Sequence, residues 1–155
     1  MKITDIKLAM LEVPLKTPFK TALRTVNEIK DVIIIVETDT GHIGYGEAPA
    51  TAAITGDTHG SIIETIRKVM KPRLIGRDIS NLNEITDIIQ SSIMRNYNAK
   101  AAMEIAVYDL FAQLYGAPLY KILGGGEPSL QTDITISVDY IDKMVEDSKK
   151  AVELG

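Results

Sequence analysis

The chain has no cysteine and no tryptophan, and only two phenylalanines and two histidines in 155 residues. Without cysteine there can be no disulfide, thiol nucleophile or thiolate metal site, and such usage fits a cytoplasmic protein. No apolar run approaches the roughly 20 residues of a membrane span. No cluster of five or more basic residues occurs, and 17 Lys and Arg against 21 Asp and Glu leave a formal charge of −4. That balance argues against a nucleic-acid partner. Internal repeats and low-complexity segments are lacking too. The first fifteen residues mix Lys2, Asp5, Lys7 and Glu12 with apolar positions, which is not the pattern of a signal peptide. What is present is a 45% hydrophobic composition, enough to bury a core in one domain and a little more.

Strand signals come first. Ile6, Leu8 and Met10 alternate, then Leu11, Val13 and Leu15 alternate in the other phase, which predicts a strand bulged near Met10. Pro14 points to an edge position or to the strand's end. Residues 16–30, including PFKTALRT at 18–25, have no regular period and read as a long loop. DVIIIVETDTGHIGYGEA reads as a hairpin, with a β-branched arm over 32–38, a turn at Asp39-Thr40-Gly41 and a return over 42–48. Together these predict a three-stranded antiparallel sheet.

Helical periods follow. Ile62, Ile63, Ile66, Val69 and Met70 share one face, with Asp57 or Thr58 as cap and Pro72 beyond the end. Asn81 and Glu84 have capping-box spacing before Leu82, Ile85, Ile88, Ile89 and Ile93. A third helix over about 99–115 carries Ala102, Met103, Ala106, Val107, Leu110 and Leu114 on one side, and Gly116 and Pro118 end it. Strands followed by helices make an α+β domain, a sheet and then a helical bundle. Beyond LGGGEPS the pattern changes. TDITISV alternates strictly, and Ile141, Met144, Val145, Ser148 and Val152 then mark a helix with Gly155 as its C-cap. A single βα unit has no parallel neighbour for its strand. Either it pairs with the first domain or it opens a larger α/β domain. The Gly-rich stretch at 124–126 marks the junction and favours the second reading, with domains at 1–125 and 126–155.

Few residues carry chemistry by pattern alone. His42 beside the turn and His59 near a helix start read as surface residues. Glu47, in GYGEAP, reads as a backbone acceptor at a strand end. Glu104 and Asp109 are five apart and do not share a helix face, so they are no metal pair. Glu37 receives no role. The glycines at 124–126 lack the GxxxxGK context of a phosphate loop. No catalytic residue and no metal ligand is assigned. Two apolar loops remain, PFKTALRT with Phe19, Leu23 and Arg24, and ATAAITGD at 50–57 centred on Ile54. Each packs internally or serves a site, and Arg24 offers a planar fork for a carboxylate.

The strand–loop–hairpin start, GYGEAPA, and AKAAMEIAVYDLFAQLYGAPLYKILGGG resemble the N-terminal capping domain of the enolase superfamily. The G-x-P-L-x-x-x-L-G-G run at 116–125 is the most specific part. Within the muconate lactonizing enzyme subgroup, PFKTALRT, APATAAITGD and TDITISV resemble the dipeptide epimerases, including those acting on Ala-Glu. The resemblance covers essentially the whole chain.

It implies a capping domain followed by a (β/α)7β modified TIM barrel, with TDITISV as first barrel strand and 139–154 as first helix. It implies an isomerase that removes and returns a proton α to a carboxylate through an enediolate. Mg²⁺ would be its cofactor, with metal ligands and two lysines expected beyond residue 155. It implies a dipeptide substrate, the rest of the chain's own barrel as partner, and a homo-oligomer. Phe19, Arg24, Ile54 and Thr135 match substrate-contacting positions: Phe19 and Ile54 to exclude water, Arg24 to meet an anionic group. Thr135 also lies on the polar face of its strand. The alternatives are another subgroup member (muconate cycloisomerase, N-acylamino acid racemase or o-succinylbenzoate synthase) or a non-catalytic binding module.

Overall fold

A computed structural model describes residues 1–126 and 129–155. Its strands are β1 (Ile3–Lys20), β2 (Thr25–Thr38) and β3 (Ile43–Pro49). Helices follow as α1 (Ala52–Thr55), α2 (His59–Glu64), α3 (Lys71–Leu74), α4 (Leu82–Ser91), α5 (Tyr97–Leu114), α6 (Leu119–Ile122) and α7 (Ile141–Glu153), with a π-helical stretch at Thr65–Met70. The strands form one sheet in the order β1-β2-β3, and β2 and β3 are antiparallel with Ile34 opposite Gly46 and Val36 opposite Gly44. The expected sheet-then-helices architecture is therefore present.

Two compact units divide the chain, Met1–Leu11 with Lys30–Gly126, and Glu12–Ile29 with Glu127–Gly155. The sequence reading assigns 12–29 to the first domain, whereas here they group with the C-terminal segment. Glu127 and Pro128, part of the Gly-rich junction, lie outside the described residues.

In the first unit the alternation of β2 sends Val32, Ile34 and Val36 to a fully buried face. Beside them β3 presents Gly44, Gly46 and Ala48, and α5 lays Ala102, Met103, Ala106, Val107 and Leu110 against the sheet. A Cβ on Gly46 would overlap the Ala102 carbonyl oxygen, and one on Gly44 the Ala106 carbonyl oxygen. Two glycines at period two thus let helix backbone lie directly on strand backbone. The outer edge of β3 is closed by α5 side chains. Tyr45 N–H donates to Asp109 Oδ2 at 3.2 Å, Gln113 Nε2 donates to the Ile43 carbonyl at 2.8 Å, and Asn98 Nδ2 donates to the Pro49 carbonyl at 2.7 Å. These bonds satisfy backbone groups that an edge strand otherwise leaves open. Asp109 therefore has a structural task.

Four local expectations change. The stretch 16–30 is not an irregular loop. β1 runs to Lys20, β2 starts at Thr25, and only residues 21–24 turn. Thr21 N–H donates to the Arg24 carbonyl at 2.9 Å, and the Thr21 hydroxyl accepts from the N–H groups of Leu23 and Arg24. The ribbon has little buried face, so its sequence carries no alternation. Pro72 lies within helical structure. Lys71 N–H reaches back to the Ile66 carbonyl, and this wider π step precedes a residue that has no donor. Asn81 starts α4 without a side-chain cap bond, and the Glu84 carboxylate accepts from Arg77 Nη1 at 2.5 Å instead of closing a capping box. Finally, TDITISV forms no strand: residues 129–140 carry no regular structure among the described residues. A strand needs a neighbour to share its ladder, and among the described residues this segment makes one backbone bond to the ribbon, Val138 N–H to the Lys20 carbonyl at 2.9 Å.

The buried phase of β1 changes between Ile3 and Ile6, where the Asp5 carboxylate accepts the Ile6 N–H at 2.8 Å, while Met10 and Leu11 are both exposed. Lys71 holds Asp5 as well, at 2.5 Å. Gly46→Ala is expected to cost about 3 kcal/mol of unfolding free energy, because helix backbone cannot yield to a methyl group. Tyr45→Phe, on the exposed face, is expected to cost under about 0.5 kcal/mol. Urea denaturation followed by circular dichroism measures both, and equal losses would contradict this packing.

Candidate functional site

The second unit holds the candidate site. The end of β1 carries Pro18, Phe19 and Lys20 to a cleft of about 500 Å³ whose opposite wall includes Thr135, Ser137 and Asp139. Phe19 and Thr135, expected to contact substrate, thus line one cavity. Its charged rim comes from Lys20 and Asp139 at 2.6 Å, and from Lys143 and Asp147 of α7 at 2.5 Å. Lys20 beside Asp139 holds that carboxyl below the usual carboxylate range, helped by the Tyr140 N–H, and burial opposes the shift. The stabilisation from this pair is present above the ordinary carboxylate pKa and is lost as pH falls through the lowered one.

Arg24 stands at the turn that joins β1 and β2, exposed in the same unit. Leu23 beside it is 86% exposed. Ile54 sits on α1 in the first unit and is 70% exposed. Its loop is tied down around Asn98, which donates through Nδ2 to Thr55 Oγ1 at 3.1 Å and through N–H to Asp57 Oδ2 at 3.3 Å. Internal packing, one reading of both apolar loops, is thereby set aside for Leu23 and Ile54. The apolar face of α7 is open too, with Ile141 79% and Val152 81% exposed.

The remaining polar candidates have local tasks. His59 Nε2 lies 2.9 Å from the Lys30 carbonyl, and His42 Nδ1 lies 3.0 Å from Thr40 Oγ1. Glu37 pairs with Lys7 at 2.5 Å. Among the described residues no backbone N–H donates to the Glu47 carboxylate; a hydrogen bond with Asp31, then burial, then the Asp31 charge push its carboxyl above the usual glutamate range. The register explains the meeting, since Asp31 faces Pro49 and Ile33 faces Glu47, which makes the two acids diagonal neighbours on one face. Among the described residues no group of three or more His, Cys, Asp and Glu is arranged to hold a metal ion. These residues do not fit a magnesium site. Nor is any helix among the described residues long and apolar enough to cross a membrane.

Residues 3–124 match the family model described as the N-terminal domain of mandelate racemase and muconate lactonizing enzyme. The chain belongs to this family. Within the enolase superfamily it is a capping domain, and its relatives include epimerases. It is similar to the L-Ala-D/L-Glu epimerase of Clostridium acetobutylicum, 48% identical over the whole chain and 43% of that protein. A substrate-liganded L-Ala-D/L-Glu epimerase from Bacillus subtilis superposes with a TM-score of 0.95 at 44% identity, over all of this chain and 43% of that one. The dipeptide epimerase of Enterococcus faecalis, complexed with Mg and L-Leu-L-Tyr, gives 0.92 at 34% identity, over all of this chain and 44% of that one. The chain thus spans less than half the length of the relatives it matches.

Lys20, Ser137 and Asp139 were not foreseen as parts of the site. Pairs separated by 117 and 119 positions leave no periodic trace in a single sequence. Glu47, raised by its neighbour, disfavours the folded state while ionised, and this penalty fades as pH falls through its raised pKa. Glu47→Gln is therefore expected to add up to about 0.5 kcal/mol of stability at pH 7, the pair being partly solvated. The gain should shrink on acidification in unfolding curves recorded from pH 7 to 3. A gain independent of pH would contradict the pairing.

Proposed function

We propose that this chain is the N-terminal part of a dipeptide epimerase acting on acidic dipeptides of the Ala-Glu type. Residues 1–125 supply the specificity cover, and residues 126–155 supply the first strand and helix of the barrel. The observation that carries this reading is the shared cleft of Phe19 and Thr135, residues 116 positions apart in sequence, on a chain matched end to end by such epimerases. In this reading TDITISV becomes a strand when barrel neighbours offer it a ladder, and the open face of α7 packs against the next barrel element.

Each present residue then has a physical task. Phe19 lends a half-buried ring that excludes water from the dipeptide. The Thr135 hydroxyl donates to or accepts from a substrate polar group. Arg24 presents a planar guanidinium, always charged, to the side-chain carboxylate. Ile54 covers the apolar part of the substrate. The turn at 21–24 lets the cover open for entry and close for reaction. The acid–base groups and the magnesium ligands belong to the rest of the barrel, and no residue here takes a step of the proton transfer.

Arg24→Ala in the full-length protein is expected to lower kcat/KM for an acidic dipeptide about 10- to 100-fold, the worth of one charge-assisted hydrogen bond. A neutral dipeptide should lose less than about threefold. Chiral chromatography of the epimerised products gives both values. Equal losses would show that Arg24 does not read side-chain charge.

A further inference from the structure

We propose that Lys20 and Asp139 form an ionic latch that fastens the tip of the β1–β2 ribbon to the segment carrying Thr135, with Lys20 and Asp139 acting as positioning residues for the substrate pocket. The positioning role rests on the epimerase reading; the latch itself does not.

Three bonds converge on one residue. Lys20 Nζ meets Asp139 Oδ2 at 2.6 Å, Lys20 N–H donates to Ser137 Oγ at 3.3 Å, and the Lys20 carbonyl accepts Val138 N–H at 2.9 Å. Backbone and side chain of one lysine are thus both engaged by residues 137–139. The geometry couples the expected contact residues. Phe19 directly precedes Lys20, and Thr135 lies two residues before Ser137. Closing the latch therefore fixes the width of the cleft between ring and hydroxyl. It also sets the start of the turn, because Thr21 N–H is bonded to the Arg24 carbonyl.

The competing cation, Lys143, donates to Asp147 one helical turn on, at 2.5 Å. The direct ion pair of Asp139 is with Lys20, while the Lys143 charge adds to the field at its carboxylate. The pair is neither buried nor free: the Lys20 side chain is 40% and the Asp139 side chain 23% exposed. Such a pair is weak and screened by salt, so it suits a fastening that must release at each turnover. Ser137 and Val138 give the tip a neutral docking point, and the ion pair supplies the part that responds to charge.

The test is limited trypsin digestion of the full-length protein, with the cut after Arg24 followed by mass spectrometry. Asp139→Asn is expected to speed that cut about two- to fivefold. Added potassium chloride should speed it in the wild type but not in Asp139→Asn. The charge swap Lys20→Glu with Asp139→Lys should restore slow cutting, which separates a latch from mere damage to the fold. Alongside, Asp139→Asn should raise KM for the acidic dipeptide by a similar factor with kcat held. Cutting of Asp139→Asn at the wild-type rate overturns the latch. Faster cutting with unchanged KM overturns the positioning role. Wild-type protein that epimerises no dipeptide overturns the functional reading, while the cutting rates still decide the latch.

Discussion

Direct contact between the backbone of α5 and the backbone of β3 is the constraint on which the first unit depends. Gly44 and Gly46 remove the side chains that would hold the helix off, and Ala102 and Ala106 do the same from the other side. Once the helix is that close, its polar side chains reach the strand edge and close it. Asn98, in the first turn of the same helix, holds the 50–57 loop, on which Ile54 is exposed. One close approach therefore sets the core, seals an edge and presents a loop. It also explains why GYGEAP is written with glycines: a side chain at either position would separate the two layers.

The second unit follows another logic. Among its described residues no hydrophobic side chain is buried, and charge and hydrogen bonds join the ribbon end to the C-terminal segment at Lys20. Contacts of this kind are weaker than a packed core and more easily reversed. A cover over a reaction site requires that reversibility, since substrate has to pass. Apolar packing holds the first unit, whereas ionic fastening joins the parts of the second.

What could be read from the sequence tracks burial. Val32, Ile34 and Val36 alternate because one face is dry, and the Ala102–Leu110 face of α5 repeats because one side of a helix is dry. Those elements were legible within a few residues. The ribbon over 16–30 was not, because a strand wet on both faces has no reason to alternate. Pro72 misled because a π step accommodates it inside a helical run, and Glu84 because its carboxylate pairs with Arg77 instead of closing a capping box. TDITISV alternates as a barrel strand would, yet alternation supplies no neighbour. For the candidate site, Phe19, Arg24, Ile54 and Thr135 came from resemblance, with only the polar face of Thr135 readable from period. Lys20–Asp139 and Asp31–Glu47 were invisible, since long-range charge pairs depend on the fold that brings them together.

The central claim is that this chain covers a site where a dipeptide loses and regains an α-proton. The most direct test incubates the full-length protein with a panel of dipeptides in deuterated water and follows deuterium at the α-carbons by mass spectrometry. The account predicts incorporation at a single α-carbon, fastest for dipeptides with an acidic second residue. Absence of incorporation from every dipeptide, with the protein folded and magnesium supplied, would contradict it.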